Sequence, residues 1–166
     1  KNLDYAQNWG AYHASLGANY GFNFNTADGK YDDAGYFNDT EPTDKIITFG
    51  SYVGAFGTHE HVLYAFAPVK GFSQFGSYTG NGSDVTGRFI YTGFRPKYIL
   101  IKSHYASNAN AHNHWGIYDT ARNPHNEASN LLLSSVNGSE LNSAHTGLDI
   151  LSNGFKLRGD TGGYAN

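Results

Sequence analysis

Two His-x-His triplets, His59-Glu60-His61 and His112-Asn113-His114, come nearest to a chemical motif in this chain. On a strand, residues two apart share a face, so each pair could offer two imidazoles to Zn²⁺ or a similar ion. Two ligands make half a tetrahedral site, the chain has no Cys, and no regular third ligand stands nearby. The triplets therefore read as solvated loop histidines, with no metal and no cofactor.

Acid chemistry fares no better. A glycosidase needs two carboxyls at a set separation, one of them held protonated. Here six of the fourteen acids crowd residues 28–44, and Asp32 and Asp33 point apart if extended. Asp28-Gly-Lys-Tyr-Asp-Asp33 also lacks the ligand spacing and closing bidentate acid of a calcium loop. His13, Ser15 and Asp119 suggest a hydrolase triad, but no Gly-x-Ser-x-Gly elbow accompanies them. A polysaccharide-degrading enzyme is the weakest of the readings, and the chain is read as no enzyme.

Binding is better served. Trp9, Trp115, Tyr12 and Tyr118 could stack on the apolar face of a sugar, although their strand positions favour a core role, above all for Trp115. The sequence 103–113, Ser-His-Tyr-Ala-Ser-Asn-Ala-Asn-Ala-His-Asn, has no periodicity and reads as a projecting loop. His104, Tyr105, Asn108, Asn110, His112 and His114 are its candidate ligand contacts, with amides and imidazoles suited to hydroxyls. Asn38, Asn81 and Asn137 open Asn-x-Ser/Thr triplets, expected by chance in so Asn-rich a chain.

The elements that must carry these residues are strands. Residues 77–102 read as a polar turn at Gly80-Asn81-Gly82, a strand over 88–92, a corner at Gly93-Phe94-Arg95-Pro96 and a strand over 97–102. The apolar run between Lys97 and Lys102 predicts a meander at the centre of a sheet, buried on both faces. Further strands are expected over 9–13, 20–25, 45–49, 61–67, 114–119 and 130–134, with a hairpin over 148–158 around Asn153-Gly154. Residues 28–44 read as a long surface loop interrupted by Pro42.

Composition agrees with an all-β fold. The chain has 21 Gly, 13 Tyr and 11 Phe among 166 residues, and lacks the Ala-Leu-Glu-Lys mix of helical bundles. A net charge of −3 with only 15% charged residues gives no basic footprint for nucleic acid. No apolar run approaches 18 residues, so no membrane-spanning helix is expected. The absence of Met, even at position 1, suggests a piece of a longer or processed polypeptide.

Trp9-Gly-Ala-Tyr12 recurs as Trp115-Gly-Ile-Tyr118, and Ile47-Thr-Phe49 as Phe155-Lys-Leu157, at offsets of 106 and 108. The chain is thus expected to hold parts of two tandem repeats: 1–70 the closing part of the first, 71–76 a connector, and 77–166 the second without its last strand. Strand 61–67, from this chain or a neighbour, is expected to fill that gap by strand addition.

The phrases Phe75-Gly-Ser-Tyr-Thr-Gly-Asn-Gly-Ser83, Phe89-Ile-Tyr-Thr-Gly-Phe-Arg-Pro96, Ile117-Tyr-Asp-Thr-Ala-Arg-Asn-Pro124 and Leu151-Ser-Asn-Gly-Phe-Lys-Leu-Arg158 resemble a repeated virion or tail-fibre-like domain of marine tailed phages, often found with laminin-G-like domains. Trp9-Gly-Ala-Tyr-His-Ala-Ser-Leu-Gly17 and Tyr64-Ala-Phe-Ala-Pro68 look like the closing half of a preceding copy. The resemblance implies a non-enzymatic fibre or appendage module. Loop 103–114 is longer and richer in His and Asn than that pattern, which places this protein's own specificity there.

The expectation is an antiparallel β-sandwich or jelly-roll-like fold that serves as a structural and adhesive module of a virion or other extracellular particle. It would form a homo-oligomer with other virion subunits and bind a cell-surface glycan weakly per site, with no nucleic acid and no membrane insertion. The alternative is purely architectural: a capsid decoration or filament subunit.

Overall fold

A computed structural model describes residues 1–51, 59–83, 85–104, 113–142 and 146–159. The chain divides into two compact units. The described residues of Lys1–Phe66 together with His104 form the first, and those of Ala67–Ser103 and Ala111–Asn166 the second.

In the first unit, β1 (Gly10–Ala11), β2 (Tyr20–Asn23) and β3 (Tyr31–Asp32) form an antiparallel sheet in that order. A one-turn helix, α1 (Ala34–Phe37), follows at once. Asp33 caps it by accepting a hydrogen bond from the Gly35 amide at 2.7 Å, and Asn38 closes it in the left-handed region at φ 53°. The segment 28–44 is therefore not a plain surface loop. It contains β3 and the helix because Tyr36 and Phe37 bury themselves on Ala18, with Tyr12 and Tyr31 packed around them. Gly21 in β2 leaves room for the Tyr36 ring, which a Cβ there would meet at 2.1 Å.

Two expected strands of this unit do not form. Residues 45–49 are irregular, with Ile46 and Phe49 exposed. Residues 61–67 contribute only an isolated antiparallel bridge from His61 to Asn2, supported by Val62 N–H to the Lys1 carbonyl at 3.0 Å. Residues 61–67 therefore form no strand within this chain, since alternation alone cannot hold one whose Leu63, Tyr64 and Phe66 are left exposed.

The second unit begins with β4 (Phe89–Tyr91), then β5 (Tyr98–Lys102), β6 (Trp115–Asp119), β7 (Asn130–Leu133), β8 (Leu141–Asn142), β9 (Leu148–Leu151) and β10 (Gly154–Leu157). Two antiparallel sheets result, β4-β10-β9 and β5-β6-β7-β8. Ile99, Ile101, Tyr118 and Leu131 from one sheet pack with Leu148, Ile150, Phe155 and Leu157 from the other around Ala128. This is an antiparallel β-sandwich, as the composition and strand pattern predict.

The expected central meander is corrected. β4 and β5 do not pair with each other; each is the edge strand of a different sheet. Gly93, at φ 81°, lets the chain turn out of one sheet and into the other. β5 is accordingly buried on one face only, with Ile99 and Ile101 inside and Tyr98 exposed. The hairpin β9–β10 forms, but Gly154 lies in β10 opposite Leu151 rather than in the turn. Glycine is needed there because a Cβ would meet the Ile90 carbonyl oxygen at 2.1 Å.

The two units share a pairing register. Gly10 faces Asn23 and Ala11 faces Phe22, as Gly116 faces Leu133 and Ile117 faces Leu132. Tyr20 faces Asp32 and Gly21 faces Tyr31, as Asn130 faces Asn142 and Leu131 faces Leu141. Even the flanking bond recurs: Phe24 N–H donates to the Trp9 carbonyl, and Ser134 N–H to that of Trp115. The offset is 106 in the first strand and 110 in the other two, so the β6–β7 connection is the longer by four residues.

Candidate functional site

The loop singled out by sequence lies between β5 and β6 in the chain, and at their ends Lys102 stands opposite Trp115. The Lys102 ammonium donates to the Asn113 carbonyl and sits 6.0 Å from the centre of the Trp115 ring. One side chain thus ties the strand entering the loop to the residue leaving it. Trp115 is only 9% exposed, yet it lies on the face of β6 opposite Tyr118 and outside the core cluster, so the expectation that it fills the space between the two sheets is corrected. Next to it, His114 Nδ1 lies 2.7 Å from Ser135 Oγ. Burial first, and Lys102 second, hold the His114 pKa below the ordinary imidazole range, so the ring is neutral at neutral pH.

Of the six candidate contacts, His104 and His114 lie among the described residues, while Tyr105, Asn108, Asn110 and His112 lie outside them. His104 belongs to the first unit. Its carbonyl accepts from the Lys30 amide at 3.4 Å, and its Nδ1 is buried with no hydrogen-bond partner among the described residues. Burial and the nearby Lys30 lower its pKa, and His13 is lowered by burial and by His104 in turn. The Lys30 ammonium rests 3.8 Å from the centre of the Tyr20 ring, a cation–π contact. His13, Lys30 and His104 are thus within electrostatic reach of one another.

The other motifs are taken up structurally. His59 turns to Asp4, 3.4 Å away, and to the Tyr5 ring, while His61 Nδ1 meets the His59 carbonyl at 3.0 Å. The two imidazoles therefore do not converge, and among the described residues no three His, Cys, Asp or Glu side chains gather around one point. Asp119 is committed to Arg122, accepting from its amide at 2.8 Å and from Nε at 2.7 Å. These bonds, led by the Arg122 amide, depress the Asp119 pKa. His13 Nδ1 accepts from the Ser15 amide at 3.1 Å, so that nitrogen is engaged by backbone.

Two anchoring groups escaped the sequence reading. Arg122 also reaches Glu140 at 2.7 Å and the Ile117 carbonyl at 2.8 Å, locking the β6–β7 connection; its signal was the Asp119-x-x-Arg122 spacing. Glu41 does the same work in the first unit, accepting from Tyr12 Oη at 2.6 Å and the Ala18 amide at 2.8 Å. No local spacing announces it, since Tyr12 and Glu41 are far apart in sequence.

The family model for a domain of unknown function, DUF7483, matches residues 1–166. The chain belongs to the DUF7483 family. No curated protein and no solved structure matches it.

Within this DUF7483 chain the two equivalent tryptophans differ sharply. Trp9 is 37% exposed and lies nearly parallel to the Tyr64 ring, 6.4 Å between centres and 6° between planes. Its amide donates to Asn25 Oδ1, and Asn25 in turn donates to Asn8 Oδ1 at 3.0 Å. Trp115 has the β5 strand beside it; Trp9 has no strand on that side among the described residues.

Proposed function

We propose that this DUF7483 chain is a non-enzymatic structural and adhesive module of an extracellular particle, a phage tail fibre or appendage, which binds a cell-surface glycan through loop 103–114. One observation carries the reading: two fully paired five-residue strands flank the loop, and Lys102 ties the strand before it to Asn113 after it through the Asn113 carbonyl. A loop rich in His and Asn on so rigid a base suits recognition of hydroxyls. Weak single contacts become useful when a symmetric fibre repeats them.

A glycan array probed with the intact oligomer tests this. Binding is expected for the native chain and lost when residues 105–112 are replaced by a Gly-Ser linker. Equal binding by the two proteins would contradict it.

The architectural reading rests on different residues. Leu63, Tyr64 and Phe66 in the first unit, and Val69 and Phe72 in the second, are large apolar side chains left exposed. A filament or capsid-decoration subunit would bury them against neighbours. No glycan binding, combined with protection of these residues on oligomerisation, would favour that role.

A further inference from the structure

Among the described residues, no strand pairs with the outer edge of β1. In an antiparallel ladder alternate residues point their N–H and C=O groups to opposite sides. The Trp9 carbonyl accepts from Phe24 at 2.8 Å, so Trp9 and Ala11 face β2, and Gly10 and Tyr12 face away from it. In the second unit the equivalents of those two residues, Gly116 and Tyr118, face Ile101 and Ile99 of β5. Among the described residues the ladder therefore occurs once with this neighbour and once without it.

We propose that β1 is a strand-acceptor site, filled by a segment of the 88–102 type donated by a second copy of this repeat. The register follows from the second unit. The donor's Ile101 would lie opposite Gly10, Ile99 opposite Tyr12, and Lys102 opposite Trp9, where its ammonium would reach the indole as Lys102 reaches Trp115. Its two isoleucines would then extend the small cluster of Tyr12, Tyr36 and Phe37. Upstream, the donor's β4-type strand has a matching place. In the second unit β10 lies between β4 and β9, and the corresponding residues 47–49 of the first unit are irregular.

Charge agrees with the pairing. Residues 88–102 carry Arg88, Arg95, Lys97 and Lys102 and no acid, whereas residues 28–44 of the acceptor unit hold six acids. One of these, Glu41, is fixed beside Tyr12 at the end of β1. This inference is independent of glycan binding, since it concerns the first unit's edge and no residue of loop 103–114.

The test adds a synthetic peptide of residues 88–102 to the full chain. Amide exchange at Gly10 and Tyr12 should slow, and in a Trp115→Phe variant the remaining Trp9 emission should shift to the blue. A peptide N-methylated at the residues equivalent to Ile99 and Ile101 should bind about tenfold or more weakly, because it lacks the two donors that face the acceptor. Methylation at the Leu100 equivalent, whose N–H points away, should leave binding unchanged. Amide exchange on the unsubstituted chain keeps the test valid if Trp115→Phe perturbs the second unit. The proposal is overturned if the peptide leaves Gly10 and Tyr12 unaffected, if all methylated peptides behave alike, or if protection is instead lost at Gly116 and Tyr118 because the peptide displaces the chain's own β5.

Discussion

The ladder β1-β2-β3 and the ladder β6-β7-β8 share one register, yet the first has two-residue strands at both edges and the second opens with a five-residue strand. What differs is the neighbour. β6 is sealed by β5 and its core is capped by a second sheet, so Tyr118, Leu131, Leu148 and Leu157 are fully buried. Among the described residues of the first unit the buried cluster is only Ala18, Tyr36 and Phe37, and Trp9 remains partly in water. Local sequence sets which residues face each other; a strand's length depends on what lies beside it.

The sharpest way to break the comparison is to remove core from the sealed unit. Leu148→Ala should cost about 3–4 kcal/mol, because it deletes buried methyl groups between two sheets that cannot collapse fully. Urea unfolding followed at Trp115, with Trp9→Phe as background, should show the loss. The same substitution followed at Trp9, with Trp115→Phe as background, should show far less. Gly154→Ala should follow, at roughly 2–3 kcal/mol, because the new methyl group meets the Ile90 carbonyl and forces β4 off β10. Hydrogen exchange in β4 should rise before that in β7.

Arg122→Ala is expected to cost about 1–2 kcal/mol, since it leaves Asp119 and Glu140 without their shared partner and frees the longer β6–β7 connection. Thermal unfolding of the second unit would report it. The smallest effect belongs to the shorter connection. Burial and the Glu41 carboxylate push the Tyr12 hydroxyl up to about 12, from an ordinary value of 10.0. The neutral phenol is thus favoured by folding, and that stability is lost as pH climbs from 10 to about 12. Glu41 is lowered by the Tyr12 hydroxyl first and the Ala18 amide second, so its contribution is present above the usual carboxylate range and lost as pH falls below it. Tyr12→Phe should raise the Glu41 pKa in an NMR titration and cost less than about 1 kcal/mol.

Much of the sandwich could be read from the chain, because its strongest elements carry local signals. The apolar alternation of residues 98–102 and 115–119, and the turn before Gly154, mark strands whatever their neighbours. Pairing partners were harder. Proximity in sequence suggested that β4 and β5 pair, and only the corner at Gly93 sends them to separate sheets. The alternation at 45–49 and 61–67 looked the same as that of true strands, but no partner strand stabilises it among the described residues. For the candidate site, composition singles out residues 103–114, whereas the Lys102–Asn113 clamp is a contact that composition cannot encode. Glu41 was hidden for a similar reason, being brought to Tyr12 by the fold.

Native-state amide exchange at four backbone positions tests the central claim most directly. If the two ladders are copies of one element, one sealed and one open, then Gly116 and Tyr118 will exchange slowly while Gly10 and Tyr12 exchange nearly as fast as an unstructured chain. Equal protection at all four amides would mean that β1 already has a neighbour, and the contrast between the two units would fail.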